Sequence, residues 1–434
     1  MNDRRLGVAL SGGGYRATAF HVGTLRALHK MGVLEKVDVL STISGGSITG
    51  AAFSLHQGDF PSFDAAMLKA VSTKSVICYI LTSWVFLGFA VFVLAFLAAA
   101  GRFLFRAHPW LFLLVLIALV ILLIVFQFRL FPVSKVIERA YDKFFFHHAT
   151  LSALRPKPEL AIGATNLQTC RPFTFSPRKM EDSAYAYYNP PIRFKHADFP
   201  VSRAVMASTC VPFAFTPVKI DPKFFADPKD MVRCHPVLVD GGVYDNQGVH
   251  KITQSGSSYE CQYVITSDAG NRLPFEKSYN NTYTLLLRTV NVFMVRIKNF
   301  QMALHLYRDG LESKKQVAYL SLDWDLANCI PGFVNNLQNS KVPKSVIDAH
   351  VIPPAWMANV YENRAQITSL LESNVGYNMI RDQGLSDAEL KKIRKVGTNL
   401  TRIRYKTVLL LARHAANITE LQVKLYCPSL LLNE

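Results

Sequence analysis

The chain has 434 residues, of which 50% are hydrophobic, and a formal net charge of +17, so it is long enough for one large domain or two ordinary ones. The charge permits a nucleic acid or an anionic membrane surface as partner, but no zinc-finger spacing or RNP-like aromatic–basic run is present, and no nucleic-acid partner is expected. The seven cysteines are scattered without a Cys-x-x-Cys pair, which argues against a disulfide framework and favours reduced thiols.

The first fifty residues predict a strand–helix–strand unit with a sharp turn after each strand. An apolar strand at Leu6–Leu10 runs into Ser11 and three glycines, and helical spacing of apolar residues follows as far as Gly32. A second apolar strand at Val37–Ile43 leads into the serine- and glycine-rich segment 44–50. Because the carboxyl ends of parallel strands share one edge of a sheet, we expect the two turns to face each other there.

The two turns suggest a nucleophile and an oxyanion hole. A serine on a strained turn between small residues, here Ser47, is lifted clear of the sheet. A nucleophile at Ser44 would instead move the attacking hydroxyl by one small turn. The glycine loop exposes backbone N–H groups that can bind an anion. A dinucleotide site is the alternative, since 12–17 formally satisfies G-x-G-x-x-A, but that site also requires an acidic residue where the second strand ends, at 41–44.

A long apolar insert follows the second turn. The runs 75–101 and 107–128 contain no charged residue, and at about 1.5 Å per residue each can cross about 30 Å of hydrocarbon as a helix. A buried core hairpin and a hairpin that enters one leaflet are the alternatives. Basic residues flank the outer ends and, in smaller number, the turn. They are Lys74, Arg129, Lys135 and Arg139 at the outer ends, and Arg102 and Arg106 in the turn. This distribution predicts a cytoplasmic folded domain.

Beyond the insert the α/β pattern resumes and later becomes helical. Strands are predicted at 159–164, 237–239 and 263–267, and a short helix at 200–207. Long helical periodicities begin at about Leu285. The segment 387–406 is dense in lysine and arginine, which is typical either of a solvated face or of a surface that contacts anionic lipid headgroups.

The strand before Asp240 ends in a motif that completes a resemblance to the patatin-like phospholipase family. Asp240-Gly241-Gly242 is similar to the family's aspartate motif, residues 12–16 to its glycine-rich loop, and residues 45–49 to its nucleophile motif. Residues 162–166 and 207–212 agree less closely but in the same order. The resemblance covers about residues 5–270 apart from the insert. The chain departs from the family at Ser11, where aspartate is frequent, and at Thr49, where glycine is usual.

The resemblance implies a set of site residues, and no cofactor or metal is expected because no cluster of residues has metal-ligand spacing. Ser47 is implied as the nucleophile and Asp240 as its base, with an oxyanion hole formed by Gly12, Gly13, Gly14 and Tyr15, and with Arg16 as possible support. A carboxylate can act as this base if partial burial raises its pKa. A Ser–His–Asp triad is the alternative, since His235 and His250 lie near Asp240 in sequence. Asp245, Asn246, Asp268 and His21 are expected to be structural.

The predicted fold is a three-layer α/β patatin-like fold with a mainly parallel sheet, a transmembrane helical hairpin and a helical C-terminal region. The expected catalytic domain is split between 1–74 and 132–275, with the hairpin at 75–131 and the C-terminal region at 276–434. The predicted function is hydrolysis of fatty-acyl esters of membrane phospholipids or lysophospholipids by an integral membrane protein with a cytoplasmic catalytic domain. An acyltransferase or triacylglycerol lipase with the same dyad, and a silent membrane scaffold, are the alternatives.

Overall fold

A computed structural model describes residues 5–105, 109–270, 279–305 and 315–431 of the chain. Nine strands in these residues join one sheet. Their bounds are β1 Leu6–Leu10, β2 Val37–Ile43, β3 Glu159–Asn166, β4 Arg171–Phe175, β5 Met180–Asp182, β6 Val218–Lys219, β7 Val237–Asp240, β8 Tyr263–Asp268 and β9 Gln316–Ser321. The strands predicted at the start of the chain, after the insert and around Asp240 are all present.

The helices surround this sheet on both faces and extend into the insert. Their bounds are α1 Gly14–Lys30, α2 Gly45–Leu55, α3 Phe60–Thr73, α4 Val76–Leu81, α5 Trp84–Phe103, α6 Trp110–Leu130, α7 Val133–Tyr141, α8 Ser183–Ala186, α9 Val201–Ser208, α10 Gly242–Asp245, α11 Val249–Thr253, α12 Thr282–His305, α13 Leu326–Gln338, α14 Lys344–Ala349, α15 Pro354–Ala358, α16 Arg364–Val375, α17 Tyr377–Asp382, α18 Asp387–Arg394 and α19 Tyr405–Tyr426.

The centre of the sheet is parallel and its far edge is antiparallel. Strands run in the order β5-β4-β3-β2-β1-β8-β9, and the five from β3 to β9 pair in parallel. β7 pairs antiparallel with the end of β3, where Ala164 lies opposite Asp240. The register of β1 sets Leu10 beside Thr42 of β2 and Ser267 of β8. The carboxyl ends of β1 and β2 therefore meet at one edge, and β7 brings Asp240 to the same region.

The alternation of side chains along the strands produces the three layers. Val8 and Leu10 belong to the large hydrophobic core, which also includes apolar residues of α1 and α19. Ala9 between them belongs to a smaller cluster on the opposite face, with Ile252 of α11. Because successive side chains of a strand point to opposite faces, the two clusters cover both sides of the sheet. This arrangement confirms the predicted α/β class with its mainly parallel sheet.

The C-terminal region is helical, as predicted, except for one strand that extends the sheet. β9 pairs in parallel with β8 over its whole length, from Tyr263 opposite Gln316 to Asp268 opposite Ser321. α19 packs closely on α1, where a Cβ on Gly23 would lie 2.0 Å from the carbonyl oxygen of Ala412. The sequence indicated only helices after residue 285, so β9 is a difference from that expectation. β9 thus extends the sheet, and apolar residues of α19 belong to its main core.

The apolar insert forms two long helices that pack on each other. The most apolar 18-residue stretches of the helical segments Trp84–Phe103 and Trp110–Phe146 have mean hydropathies of 2.4 and 3.3, and only 6% of each stretch is buried. By length and composition both can cross a membrane. Large apolar side chains face outward along them, as with Leu94 at 63% and Ile124 at 66% exposure. Arg106 of the predicted turn lies outside the described residues.

The first apolar run differs from the single helix that its composition predicts. It is divided into α4 and α5, and Ser83 caps α5 by accepting a hydrogen bond of 3.1 Å from the N–H of Phe86. Val76 and Ile80 of α4 are buried in the main core. The exposed apolar helix therefore begins at Trp84 and not at residue 75, because the first turns of this run pack against the folded domain.

Candidate active site

Ser44 occupies a strained turn between β2 and α2. Its φ is 49° and its ψ is −117°, and it directly follows Ile43, the last residue of β2. A non-glycine residue with positive φ is uncommon and energetically costly, and such residues cluster at functional sites. A turn of this kind between a strand and a helix raises the side chain above the edge of the sheet. Ser44 is 8% exposed.

Two glycines after Ser44 allow the turn to pack tightly against the first strand and the glycine loop. A Cβ on Gly45 would lie 2.3 Å from the carbonyl oxygen of Gly14, and one on Gly46 would lie 2.3 Å from that of Leu10. The N–H of Gly46 donates to the carbonyl oxygen of Ser11 at 3.1 Å. Only glycine leaves room for these approaches, so residues 45 and 46 fix the turn against the loop after β1.

Asp240, the last residue of β7, contacts Ser44. Its carboxylate interacts with the Ser44 hydroxyl and accepts a hydrogen bond of 2.7 Å from the N–H of Gly242. Burial raises the pKa of Asp240 to about 6, although these two interactions act in the opposite direction. A carboxylate with such a pKa can accept a proton near neutral pH. The pair thus has the contacts of a hydroxyl with its base.

Ser47 lies behind this turn and does not reach Asp240. It is fully buried in the first turn of α2, where its hydroxyl donates to Thr42 Oγ1 at 3.1 Å and lies 2.9 Å from Ser208 Oγ. Ser208 also accepts the N–H of Ser44 at 2.9 Å. Ser47 therefore supports the turn through a buried hydroxyl network. The serine predicted as nucleophile and the aspartate predicted as base are not brought together, and Ser44 is at the expected place instead.

The glycine loop after β1, residues 12–15, lies close to Ser44, and two of its four N–H groups donate hydrogen bonds to other parts of the backbone. A Cβ on Gly12 would lie 3.3 Å from Ser44 Cβ. The N–H of Gly12 donates to Asn246 O and that of Tyr15 to Asn399 O, both at 2.9 Å. Of the four residues predicted for an oxyanion hole, these two already have acceptors.

Three other N–H groups beside Ser44 have no acceptor in the described part of the chain. They belong to Gly13, Gly14 and Gly45. Gly13 and Gly14 have φ values of 142° and 58°, which favour glycine. The nitrogen of Gly14 lies 2.8 Å from the position of a Cβ on Gly45. These donors lie at the start of α1 and of α2, where helix N-termini stabilise negative charge. They can therefore bind a developing oxyanion.

Arg16 lies behind the glycine loop. It is 6% exposed, and its Nη1 donates to Val396 O at 2.9 Å. Its Nη2 is 3.6 Å from the position of a Cβ on Gly13, and its Nε has no partner among the described residues. Burial lowers the pKa of this guanidinium, and Asp268 partly offsets that effect. The side chain ties the loop to the C-terminal region and adds positive charge next to it.

Neither candidate histidine of a triad contacts Asp240 among the described residues. The backbone N–H of His250 donates to Asp245 Oδ2 at 2.7 Å, and its ring packs edge-on against Tyr244. His235 is exposed, and its N–H donates to Gln168. A dyad without histidine is the arrangement that these contacts support.

The other polar residues near the site have structural contacts, as expected. Asp245 accepts the N–H groups of Gln247 and His250, and Asn246 O accepts that of Gly12. Asp268 is buried and accepts hydrogen bonds from Lys298 and Tyr319. His21 Nε2 donates to Ser11 O at 2.9 Å. These contacts hold the loops around the two strand ends. Over the described ranges, no group of His, Cys, Asp or Glu is arranged to hold a metal ion.

Comparison with known proteins identifies the family. A family model of patatin-like phospholipases matches residues 8–251, which is more than half of the chain. Human GIVD cytosolic phospholipase A2 aligns over 99% of this chain and 60% of its own at 14% identity, with a TM-score of 0.49. VipD from Legionella pneumophila aligns over 99% of this chain and 92% of its own at 12% identity, with a TM-score of 0.32.

No curated protein sequence matches the chain. The chain spans about 60% of the length of the human phospholipase to which it is structurally similar. The matched segment 8–251 begins in β1 and ends in α11. It thus contains the glycine loop, the Ser44 turn and the Asp240 motif. The predicted resemblance is confirmed: the chain belongs to the patatin-like phospholipase family.

Proposed function

We propose that the protein is a lipid acyl hydrolase whose nucleophile is Ser44 and whose base is Asp240. The observation that carries this proposal is the position of Ser44 on its strained turn, where its hydroxyl interacts with the buried carboxylate of Asp240. This assignment replaces Ser47, whose hydroxyl is engaged with Thr42 and Ser208. Membership of the patatin-like phospholipase family supports ester hydrolysis as the reaction.

The proposed reaction proceeds through an acyl-enzyme. Ser44 Oγ attacks the ester carbonyl while its proton passes to Asp240, and the proton is then given to the leaving alcohol as the ester bond breaks. In the second half, Asp240 removes a proton from water, which attacks the acyl carbonyl. The bond from that carbon to Ser44 Oγ then breaks, Asp240 returns the proton to Ser44 Oγ, and the fatty acid is released. The raised pKa of Asp240, about 6, suits both proton transfers near neutral pH.

The oxyanion of each tetrahedral intermediate would be stabilised by backbone N–H groups. We propose Gly13, Gly14 and Gly45 as the donors, since Gly12 and Tyr15 donate elsewhere. Donors fixed in place before the reaction cost no reorganisation, and a single one contributes about 10²–10³ in rate in a related kind of site. Arg16 supports the loop and adds positive charge beside it.

Membrane phospholipids or lysophospholipids are the proposed substrates. The test is incubation of the purified protein with defined phospholipids, lysophospholipids and triacylglycerol, followed by mass spectrometry of the products. Hydrolysis predicts free fatty acid and the deacylated lipid in equal amounts. Transfer of the acyl group to a second lipid without free fatty acid would favour an acyltransferase, and release from triacylglycerol alone would favour a lipase. Absence of turnover on every lipid would favour a silent scaffold.

We further propose that α5 and α6 cross the membrane and hold the catalytic domain at its cytoplasmic surface. Their exposed apolar side chains and their length support this placement. In this proposal residues 75–131 contain the hairpin, residues 1–74 and 132–275 form the split catalytic domain, and residues 276–434 complete its sheet and core. An anionic lipid surface is the proposed partner, consistent with the formal charge of +17.

Replacement of the hairpin tests the membrane proposal. A variant with 84–130 replaced by a short Gly/Ser linker retains α4, because Val76 and Ile80 of that helix are buried in the core. The wild type is expected to resist carbonate extraction, and the variant to be soluble. Soluble esters should be cleaved at similar rates, because the site lies outside the insert. Bilayer phospholipid should be cleaved more slowly by on the order of 10²-fold, since the tether no longer supplies a high local substrate concentration.

Two outcomes would contradict this prediction. Wild-type protein that carbonate removes from membranes would show that α5 and α6 do not span. A soluble variant that cleaves bilayers as fast as the wild type would show that the hairpin plays no part in access to substrate. The hairpin variant that also carries Ser44→Ala provides the background rate for both substrates.

The pH dependence of hydrolysis tests the role of Asp240 as base. A base must be unprotonated, so kcat/KM for a soluble ester should fall below about pH 6, the pKa of Asp240, approaching tenfold per pH unit. Above that pH it should be nearly constant. His250→Ala is the matched control, because a histidine base would also titrate in this range. His250→Ala should show the same dependence of kcat/KM on pH. If the fall in kcat/KM below about pH 6 were absent from His250→Ala, a histidine base would be favoured.

A further inference from the structure

Two lysines and two aromatic rings connect the segment before the hairpin, 74–79, with the segment after it, 143–144. Lys74 Nζ lies 5.7 Å from the ring centre of Phe144, and Lys143 Nζ lies 5.7 Å from that of Tyr79. The two rings pack edge to face at 5.6 Å. The segments before α5 and after α7 are thus joined by two aromatic rings and two exposed lysines. Tyrosine and lysine side chains of this kind are typical of the membrane–water interface.

A third segment, 396–404, brings two arginines to the same place. The carbonyl oxygen of Leu400 accepts the N–H of Val76, the first residue of α4, at 3.0 Å. The N–H of Ile403 donates to the carbonyl oxygen of Val71 in α3 at 3.1 Å. Ile403 is buried, whereas Arg402 and Arg404 on either side of it are exposed. Arg402 and Arg404 therefore lie in a segment that pairs with residues 71 and 76, just before the chain enters α4 and then the hairpin.

The same segment also contacts the candidate active site. Val396 O accepts Arg16 Nη1, and Asn399 O accepts the N–H of Tyr15 in the glycine loop. A Cβ on Gly14 would lie 2.5 Å from Asn399 O. Residues 396–404 thus run from the glycine loop to the hairpin base. The segment that carries Arg402 and Arg404 therefore connects the glycine loop with the chain that leads into the hairpin.

We define the basic collar as the five exposed cations at the hairpin base. They are Lys74, Arg129, Lys143, Arg402 and Arg404. Within the described ranges none of them forms an ion pair with a carboxylate, unlike Arg203 with Asp221 or Arg394 with Asp325. Arg129 is in the last turn of α6, where the hairpin returns to the folded domain. Five uncompensated charges at one end of an apolar hairpin form a surface for an anion.

We propose that the basic collar binds the headgroups of anionic phospholipids in the leaflet that the hairpin enters. This proposal rests on the membrane placement of α5 and α6 given above. The exposed apolar surface that continues from the collar favours a lipid over a soluble polyanion, because only a bilayer offers anionic headgroups next to hydrocarbon. Guanidinium and ammonium groups bind phosphate and carboxylate through charge-assisted hydrogen bonds. Bound headgroups would hold the Ser44 side of the domain against the leaflet.

The test compares lipid selectivity around the full-length protein in reconstituted vesicles. Electron paramagnetic resonance of spin-labelled phosphatidylserine and phosphatidylcholine gives the relative association of each lipid with the protein. Wild type is expected to prefer phosphatidylserine at low salt, and to lose much of that preference in 1 M salt. Since each cation near an anionic surface contributes about fivefold in binding, the double variant Arg402→Gln/Arg404→Gln should lose at least about fivefold of the preference.

A matched control removes the same charge elsewhere in the C-terminal region. Lys391→Gln/Lys392→Gln changes two exposed lysines of α18, outside the collar, and should keep the preference. All three proteins should hydrolyse a soluble ester equally. Wild-type protein that stays in the vesicles but shows no preference for phosphatidylserine would contradict binding by the collar. An equal loss of the preference in both double variants would contradict it as well. Removal of the wild type from vesicles by carbonate would refute the membrane placement and the collar with it.

Discussion

Replacing Ser44 with alanine is expected to abolish ester hydrolysis, with a loss of roughly 10⁴-fold or more in kcat. The hydroxyl that contacts Asp240 is then absent, and no other serine takes its place at the strained turn. The fold should be retained, because alanine is smaller and the backbone contacts of the turn do not involve the hydroxyl. Circular dichroism and the melting temperature check the fold, and release of fatty acid from a defined lipid checks the activity.

Ser47→Ala is the matched control for this substitution. It removes a buried hydroxyl that bonds with Thr42 and Ser208, at a cost of about 1 kcal/mol in the free energy of unfolding. Its kcat should stay within about tenfold of wild type, since Ser47 supports the turn and is not positioned to attack. The opposite pattern, an inactive Ser47→Ala and an active Ser44→Ala, would return the nucleophile to the residue that the glycine spacing alone indicated.

Asp240→Asn is expected to reduce kcat by a comparable factor while leaving the protein folded. The amide oxygen can still accept the N–H of Gly242, but the side chain can no longer take a proton. Because burial raises the pKa of Asp240 above its unfolded value, ionisation of this group destabilises the folded state as the pH rises from about 4 through 6. The variant should therefore melt at the same or a higher temperature than wild type at pH 7.

Asp245→Asn separates the chemical effect from the loss of a buried carboxylate. Burial also raises the pKa of Asp245 to about 6, but its carboxylate accepts backbone N–H groups of Gln247 and His250. Its substitution should alter stability while the folded enzyme keeps kcat within about tenfold. Hydrolysis by Asp240→Asn at near wild-type rate would refute the dyad, as would an equal loss of kcat in the folded Asp245→Asn protein.

Local patterns in the sequence were sufficient to predict the main strands of the fold and the turns that follow them. β1 and β2 have the bounds that their apolar runs indicate, and Asp240 ends β7 as its motif predicts. Buried parallel strands are continuous apolar runs, and glycines mark the turns after them, so each signal is contained in a few residues. Composition also predicted the exposed apolar helices of the insert. It did not predict the break at Thr82 and Ser83, where α4 ends and the Ser83 hydroxyl caps the start of α5.

The choice between Ser44 and Ser47 could not be made from spacing. Both serines are flanked by glycine, and the attacking position depends on the residue at which β2 ends and the backbone reverses. The end of the apolar run at Ile43 was the available signal, because a nucleophile turn places its serine directly after the strand. The φ of 49° at Ser44 is a property of the folded backbone and leaves no mark in the sequence beyond that position.

Contacts between segments far apart in sequence account for the other differences between the sequence-based predictions and the structure. The N–H groups of Gly12 and Tyr15 are taken by Asn246 and Asn399, which lie far along the chain, so the division of the glycine loop into structural and free donors was not predictable. β9 likewise joins the sheet because β8 offers it an edge, although its surroundings in sequence are helical. Pairings of this kind are fixed by tertiary packing and override local propensity.

The most direct measurement is the site of covalent modification by a fluorophosphonate. The probe reacts with an activated serine and mimics the tetrahedral intermediate, so labelling of the active wild-type protein followed by peptide mass spectrometry identifies the nucleophile. The predicted result is a single adduct on Ser44 that is absent from Ser44→Ala, retained in Ser47→Ala and strongly slowed in Asp240→Asn. An adduct on Ser47, or an enzyme that hydrolyses lipid while Ser44 remains unlabelled, would contradict the Ser44–Asp240 dyad.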